Sequence, residues 1–347
     1  MKLTIKEIAG LAGVSQSTVS KIINNYTDVG PTTKAKVLRV IEEHSYRPTY
    51  AAQSLAKKAT KVIGVIYAGE INANFNHPFF VEVVNAFKKN IGAEGYDLLF
   101  FSNEKFHKKD ENYLERCQHY NVDGCFIIGG EKVEPSVYDL DQSSIPCVGI
   151  DIVLTGPRSA HLMTDNEQVA SQAAEHFYLL GRRSTGFIGG QPHSTISNER
   201  KEAFLHTARV YGMKVMDEWI LEGDFFEASG YHSMKRLLEQ PVLPEAVFAA
   251  SDAMALGAMR AMRDAGLAPA EIAVIGCDDI PAARFVDPPL TTLRQDKEKI
   301  GKMAAFMLED LIHDRIQGSG VKIDPQLIIR SSCGTKPPSP AGEEPVL

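Results

Sequence analysis

The sequence has few cysteines and no long apolar run. Its 347 residues include five widely spaced cysteines without a C-x-x-C pair, at Cys117, Cys125, Cys147, Cys277 and Cys333. This spacing argues against a disulfide framework or a structural zinc site and predicts buried free thiols. No apolar run approaches 18 residues, and residues 1–10 alternate charged with apolar residues where a secretory signal has an apolar stretch. We therefore expect a soluble cytoplasmic protein without a membrane partner.

Motifs of the common enzyme classes are missing as well. The sequence contains no H-E-x-x-H, G-x-S-x-G, G-x-x-x-x-G-K-[ST] or G-x-G-x-x-G pattern. His77, His161 and His193 could each pair with an aspartate in the fold, but a single loop histidine is more often solvated or structural. We predict no catalytic residue, no cofactor and no metal, and keep an enzyme as an alternative.

The charge is distributed unevenly along a chain of ordinary composition. Hydrophobic residues make up 44% and charged residues 23%, and the length predicts two or three domains. Residues 1–61 hold ten basic and four acidic side chains, a balance of +6, whereas the remainder has a balance of −13. A basic end on an acidic body indicates nucleic-acid contact confined to the N-terminus, although charge alone also fits a solvated face.

Two short helices about a tight turn are predicted near the N-terminus. Thr4 and Glu7 form a capping-box pattern that begins the first helix. Gly13 tolerates the positive φ of a tight turn, and Ser15 offers an N-cap for a second helix that ends at about Asn24. This arrangement is typical of a helix-turn-helix, whose second helix enters the major groove of DNA.

The second helix has two different faces. Its apolar residues fall on one third of the circumference and its polar residues point the opposite way; the apolar set is Val19, Ile22 and Ile23, and the polar set is Ser17, Lys21 and Asn24. A third helix, capped by Thr32 or Thr33, is expected to pack Val37, Val40 and Ile41 on the first two. A three-helix module that binds protein is the alternative to DNA binding.

The N-terminal residues resemble the DNA-binding headpiece of the LacI/GalR family of bacterial transcription regulators. The resemblance is carried by residues 4–24, 46–48 and 52–56. It implies a palindromic operator and a set of DNA-contacting residues: Thr4, Ser15, Gln16, Ser17, Thr18, Ser20, Lys21, Asn24, Thr33, Lys34, Tyr46, Ala52 and Leu55.

The resemblance also implies a hinge helix over Pro48–Lys58 that folds on the operator. In the family, two copies of this helix press a leucine into the minor groove, and Leu55 stands at that place. Such an apolar wedge unstacks a base step and kinks the duplex. The alternative for Leu55 is an apolar linker residue that packs on the core.

The rest of the chain alternates short β-branched runs with amphipathic segments. The predicted strands start with 62–66 and continue with 96–101, 124–128, 147–150, 185–188, 215–221, 246–249 and 272–276. Helical segments such as 79–93, 166–180, 197–211 and 253–265 lie between them. This alternation predicts a doubly wound α/β fold with parallel sheets, and about 275 residues favour two lobes over one.

Polar residues follow several of the predicted strands, where ligands bind in such sheets. They are Asp151, Asp224, Ser251, Asp252, Asp278 and Asp279. Together with Arg200 and an apolar plate from Phe225 or Phe79, these carboxylates suit hydrogen bonding to a polyhydroxylated molecule such as a sugar. Each aspartate taken singly is more often a helix N-cap.

The body is similar to the type I periplasmic sugar-binding proteins, which extends the family resemblance along nearly the whole chain. The motifs are residues 200–204, 223–225, 251–257, 276–279 and 288–293. They imply two lobes joined by three crossovers, a homodimer, and a small-molecule effector, a sugar or sugar derivative, in the cleft. The implied effector-binding residues are Phe79, Asp151, Arg200, Phe225, Ser251, Asp278 and Gln295. The loop Gly69–His77 is either a gate for the ligand or a solvated insertion.

We thus expect four segments and one function. The segments are a helix-turn-helix headpiece (1–48), a hinge helix and linker (49–61), a two-lobed effector-binding and dimerisation domain (62–336) and a disordered Pro-rich tail (337–347). The predicted function is a transcriptional repressor controlled by a small polar effector. A sugar-processing enzyme or a solute-binding protein using the same cleft is the alternative, and the latter lacks a signal sequence.

Overall fold

The computed structural model describes residues 3–24, 26–46, 59–69, 77–102, 112–130, 132–267 and 271–334. Backbone contacts divide the chain into two units, Met1–Thr60 and Lys61–Leu347, which we name the headpiece and the body. The whole predicted hinge helix, residues 48–58 with Ala52 and Leu55, lies outside the described residues. So do most of the loop after Gly69 and the predicted tail.

The headpiece contains the three helices α1 (Ile5–Ala12), α2 (Gln16–Ile23) and α3 (Pro31–Glu43). The predicted capping box is present, because the Glu7 amide donates to Thr4 Oγ1 at 3.3 Å and the Thr4 amide donates to Glu7 Oε2 at 2.7 Å. Gly13 ends α1 with a φ of 63°, and Ser15 Oγ caps α2 by accepting the Thr18 amide. The predicted helix-turn-helix is therefore confirmed.

The predicted cap of α3 is wrong. The helix begins at Pro31, its N-cap is Gly30, and no side chain caps it. Proline suits the first turn because its ring fixes φ and because the missing N–H would have no partner there. Thr32 and Thr33 therefore lie inside the helix.

One small apolar core holds the three helices together. Ile8, Val19, Ile22 and Val37 are fully buried, and Val40 and Ile41 pack against this core. The apolar face predicted for α2 is thus the packed face.

The body contains two six-stranded sheets. The first has the order β11-β5-β4-β3-β1-β2 and is parallel throughout. Its strands are β1 (Val62–Ala68), β2 (Asp97–Phe100), β3 (Gly124–Gly129), β4 (Cys147–Ile150), β5 (Ser159–Thr164) and β11 (Gly320–Ile323). Helices α4 (Pro78–Ala93), α5 (Tyr113–Tyr120), α6 (Pro135–Asp141) and α11 (Lys297–Ile312) complete this N-lobe.

The second sheet has the order β12-β10-β9-β8-β6-β7, with only the β10–β12 pair antiparallel. Its strands are β6 (Thr185–Gly189), β7 (Ile220–Glu222), β8 (Ala246–Ala249), β9 (Ala273–Asp278), β10 (Thr291–Arg294) and β12 (Gln326–Ile328). Helices α7 (Asn166–Leu179), α8 (Thr195–Val210), α9 (Glu227–Leu238) and α10 (Asp252–Asp264) complete this C-lobe. The chain crosses between lobes after β5, β10 and β11, so the doubly wound fold with three crossovers is confirmed.

One predicted strand is wrong and four strands were not predicted. Residues 215–221 form a strand only from Ile220, because Asp217–Trp219 is a 3-10 turn that buries the Trp219 ring. The strands β5, β10, β11 and β12 escaped prediction because each carries Ser, Thr, His, Lys, Arg or Gln within its short run. Pairing with a neighbouring strand determines such segments, and it is a tertiary property.

Aromatic side chains fill the cores of both lobes. The Phe87 and Phe126 rings stack at 3.9 Å between centroids in the N-lobe, and Phe187, Phe204 and Phe248 cluster in the C-lobe. All five cysteines are buried free thiols, as predicted. No helix within the described ranges is long and apolar enough to cross a membrane.

Two helical glycines give a stability test. A Cβ on Gly301 of α11 would lie 2.4 Å from the Val83 carbonyl oxygen, whereas one on Gly92 of α4 would meet nothing within 4 Å. We expect Gly301→Ala to lower the free energy of unfolding by about 1–3 kcal/mol through overpacking of α4 against α11. Gly92→Ala is expected to raise it by about 0.5–1 kcal/mol through helix propensity. Urea unfolding of both variants measures this, and equal effects of one sign would contradict the close approach.

Candidate functional site

The carboxyl ends of strands from both lobes surround one cavity of about 310 Å³. All seven residues expected to bind an effector line it: Phe79, Asp151, Arg200, Phe225, Ser251, Asp278 and Gln295. Asp151 follows β4, Ser251 follows β8, and Asp278 is the last residue of β9. The structure therefore brings the complete predicted set together.

An unusual backbone conformation orients the side chains of three of these residues. Asp151, Phe225 and Asp278 have positive φ values of 55°, 68° and 125°. Such values are uncommon for residues other than glycine, and they cluster at binding sites. Gly190 makes room for the Phe225 ring, because a Cβ there would lie 2.2 Å from it.

The Arg200 guanidinium is buried and held from two sides. Its Nε donates to Asn166 Oδ1 at 2.9 Å and its Nη1 donates to the Ala250 carbonyl at 2.5 Å. Among the described residues Nη2 has no hydrogen-bond partner. The side chain thus offers the cavity a donor in a fixed place.

The Asp278 carboxylate has one bound oxygen and one free oxygen. Gln295 Nε2 donates to Oδ1 at 2.6 Å, and Gln295 Oε1 in turn accepts the Thr164 hydroxyl at 2.5 Å. Oδ2 is buried and has no partner within the described part of the chain. A buried acceptor left unpaired is costly, so a ligand donor at this oxygen would be strongly favoured.

Burial and neighbouring charges together determine the titration of the Asp151 carboxyl group. Burial raises its pKa to about 7, Arg200 opposes the rise, and Asp278 and Glu199 add to it. The group is therefore partly protonated near neutral pH and can donate or accept a hydrogen bond.

Ser251 and Phe225 are linked to each other. Ser251 Oγ accepts the Met254 amide at 3.2 Å, which caps α10, and donates to the Phe225 carbonyl at 3.0 Å. The Ser251 hydroxyl lines the cavity, but both of its hydrogen bonds are to backbone groups of the protein. It positions Phe225 and the start of α10.

Three other aspartates grouped with the cleft carboxylates do not line the cavity, and this part of the expectation is wrong. Asp252 accepts bonds from the Thr292 hydroxyl and the Ile280 amide. Asp279 pairs with Arg294 and Arg330, and Asp224 accepts the Phe226 amide. Each carboxylate is satisfied by the protein itself.

His77 belongs to the cavity, although its place in the sequence favoured a solvated or structural histidine. Its ring lines the cavity and is buried, with the Phe226 ring centroid at 5.5 Å from its own. One feature of the sequence could have indicated this position. His77 directly precedes Pro78, the first residue of α4, and α4 follows the end of β1. Other unpredicted lining residues are Phe80, Lys132, Tyr138, Met163 and His193.

The described residues of the headpiece that are predicted to contact DNA are exposed or half-buried. Ser15, Gln16 and Ser17 are exposed at the start of α2, and Lys21 is half-buried in an ion pair with Asp28. An exposed pair of this kind is worth little, so the Lys21 ammonium can exchange its partner for a phosphate. The other predicted residues of the described range are half-buried or exposed: Thr4, Thr18, Ser20, Asn24, Thr33, Lys34 and Tyr46.

Several of these side chains already have local partners. Thr4 and Ser15 cap helices, and Asn24 Nδ2 donates to the Ser20 carbonyl at 2.9 Å.

Among the residues that the structure describes, no group of three or more His, Cys, Asp or Glu could hold a metal ion.

Two family models match the chain. The model described as bacterial regulatory proteins, lacI family, matches residues 4–49, and that of a periplasmic binding protein-like domain matches residues 174–333. The first covers the helix-turn-helix and the second covers most of the C-lobe.

Known relatives match over nearly the full length. A protein of Pasteurella multocida named HTH-type transcriptional repressor PurR is 34% identical over 339 residues, which is 96% of this chain and 99% of that one. The lac repressor dimer bound to operator and the anti-inducer ONPF is 25% identical with a TM-score of 0.81, over 96% and 99% of the two chains. A complex of the regulator CelR with cellobiose is 27% identical with a TM-score of 0.70, over 95% and 100%.

Asp151 allows a test by pH. Because its folded pKa lies above the unfolded value, its contribution to stability is lost as pH rises towards 7. Asp151→Asn should therefore gain stability over the wild type between about pH 4 and pH 7, reaching on the order of 2 kcal/mol for this half-buried group.

Urea unfolding from about pH 5 to about pH 8.5 measures the difference. The matched control is Asp97→Asn, at an exposed residue of β2, which should give no pH-dependent gain. A gain for Asp151→Asn that is constant across this range would contradict the raised pKa.

Proposed function

The chain belongs to the LacI family of bacterial regulatory proteins and is a DNA-binding transcription regulator; from this premise we propose that it is a repressor whose operator affinity is set by a small polar effector in the cleft. The effector we favour is a sugar or sugar derivative. The observation that carries this proposal is a cavity lined by both lobes, whose walls include the Asp278 carboxylate with its unpaired Oδ2 and the fixed Arg200 guanidinium.

The polar and apolar parts of the cavity support a sugar. Asp151, Arg200 and Asp278 supply hydrogen-bonding groups for hydroxyls, and Phe79 and Phe225 supply flat apolar surface for the carbon face of a ring. The solved CelR complex contains cellobiose, which is a precedent for a sugar on this fold.

The DNA-binding proposal uses the exposed face of α2 and the predicted hinge. Ser17 and Lys21 would reach the major groove, and Leu55 would enter the minor groove of a palindromic operator bound by a homodimer. The structural neighbour crystallised as a dimer on its operator supports the dimer. We place the protein in the cytoplasm, where that DNA is.

Coupling between the two sites follows from the position of the cavity. Its walls come from both lobes, so a ligand that touches both changes the balance between open and closed arrangements. A ligand shifts that balance only by its difference in affinity for the two states. Residues that grip from one lobe therefore affect regulation as well as binding.

The enzyme and the solute-binding protein are less well supported. The cavity contains carboxylates and histidines, but either alternative leaves the basic headpiece and its helix-turn-helix without a use. Turnover of a sugar by the purified chain would favour the enzyme.

Removal of one charged side chain from the cavity tests the effector site. An operator is first selected from random duplexes, and a sugar panel is screened by thermal shift, since a ligand of the native state raises stability. Arg200→Ala and Asp278→Ala should then need at least about tenfold more sugar to change operator affinity, because each loses about 1.5–3 kcal/mol of charged hydrogen bonding. Fluorescence anisotropy of labelled operator measures the response.

Arg209→Ala, at an exposed residue on the same helix as Arg200, is the matched control and should respond as the wild type does. Operator affinity without sugar should be unchanged in all three variants. If both cleft variants respond at the wild-type sugar concentration, the cavity is not the effector site.

The DNA face is tested by salt dependence. Lys21→Gln should reduce the slope of log affinity against log salt by about one, because one phosphate contact and its released counterion are lost. Lys322→Gln, at an exposed residue of β11 in the body, is the control and should leave the slope unchanged. An unchanged slope for Lys21→Gln would remove this residue from the interface.

A further inference from the structure

We propose that His77 contacts the effector as a hydrogen-bond acceptor and that the cavity selects an uncharged, donor-rich ligand over a phosphorylated one. This inference rests on the proposed function, because it concerns the same cavity. It adds a residue that the sequence did not single out and restricts the chemistry of the ligand.

The tautomer of His77 follows from its contacts. Hydrogen bonding to the backbone of Phe225 raises the pKa of His77, which is the effect of a carbonyl that accepts from the ring N–H. Nδ1 is buried and has no partner within the described residues. The donating nitrogen is therefore Nε2, and Nδ1 of the neutral ring is an acceptor.

The surroundings keep this ring neutral. Burial lowers the pKa of His77; the Asp278 charge opposes that effect and the Arg200 charge adds to it. The other titratable groups lining the cavity are Asp151, Lys132, Tyr138 and His193. A ligand donor at Nδ1 would stabilise the neutral ring further.

Acceptors dominate the interior of the cavity. Asp278 Oδ2 and His77 Nδ1 both lack partners in the described structure, and the Asp151 carboxyl group presents a third acceptor. The interior cation, Arg200, already donates to Asn166 and Ala250 through Nε and Nη1, and Nη2 is its remaining donor. A hydroxyl-rich neutral molecule satisfies such acceptors, because each hydroxyl supplies one donor.

A phosphate group does not fit this interior. It carries acceptor oxygens and negative charge, and would meet the two carboxylates of Asp151 and Asp278 in a buried site. Burial and the neighbouring carboxylates of Asp278 and Glu199 disfavour a further negative charge here, and they raise the pKa of Asp151 for the same reason. The remaining basic side chains of the lining, Lys132 and His193, are exposed.

Matched pairs of ligands test the selection. The full chain is titrated with D-ribose, D-glucose and cellobiose, and with D-ribose 5-phosphate and D-glucose 6-phosphate, by thermal shift and calorimetry. At least one neutral sugar should bind, and it should bind about tenfold or more tightly than a phosphorylated counterpart, the equivalent of about 1.4 kcal/mol. Binding of the phosphates alone, or of no neutral sugar, would overturn the inference.

Variants test His77 itself. His77→Leu should weaken the bound neutral sugar about tenfold, whereas His77→Asn, which keeps an acceptor oxygen, should stay within about threefold. His206→Leu removes an exposed histidine of α8 that does not line the cavity, and this variant should bind like the wild type. Wild-type affinity in His77→Leu, or equal losses in His77→Leu and His77→Asn, would overturn the role of Nδ1.

Acidification gives a readout that does not depend on the fold of the leucine variant. Affinity should fall on acidification because protonated Nδ1 can no longer accept. Since burial lowers the pKa of His77, this fall should come at a lower pH than for an ordinary histidine, and His77→Asn should lack it. An identical profile in His77→Asn contradicts the inference. The proposed function fails separately if a sugar binds in this way but leaves operator affinity unchanged.

Discussion

The hydrogen-bonded chain from Thr164 through Gln295 to Asp278 is the connection on which the cleft depends. Thr164 ends a strand of the N-lobe, Gln295 lies in a crossover, and Asp278 ends a strand of the C-lobe. The Lys297 ammonium strengthens this connection, since it donates to the Asp278 carbonyl at 2.6 Å and to the Asp279 carbonyl at 3.0 Å. Both lobes therefore meet at the residue that also offers a free oxygen to the cavity.

This connection has an energetic consequence. Buried polar groups must be paired, and Asp278 uses one oxygen for the protein and leaves the other for a ligand. Strain at its φ of 125° is tolerated because the surrounding bonds determine the backbone there. A ligand that binds at Oδ2 thus acts on a residue that is hydrogen-bonded to the crossover. A change in the arrangement of the lobes must occur at that crossover.

The site was easier to predict than parts of the fold. Asp151, Ser251 and Asp278 could be found because each follows or ends an apolar run, and the edge of a parallel sheet gathers such positions. Asp252 and Asp279 share that pattern and are satisfied internally, which depends on partners such as Thr292 and Arg330 that lie far away in sequence.

The position of His77 in the cavity could not be predicted from the sequence for a related reason. Its role depends on Phe225 and Phe226, which come from the opposite lobe. The strands that were not predicted, β5 and β10 to β12, contain polar residues whose strand conformation is determined by pairing. Local pattern thus indicates which elements end at the cleft, whereas contacts between distant segments determine which side chains remain unpaired there.

Reciprocity between the two sites tests the central claim most directly. If the effector in the cleft controls DNA binding, then operator must change effector affinity by the same factor as effector changes operator affinity. Calorimetric titration of the full chain with its bound sugar, in the presence and absence of saturating operator duplex, measures that factor. The account predicts two different sugar affinities whose ratio equals the change in operator affinity; equal sugar affinities would contradict it.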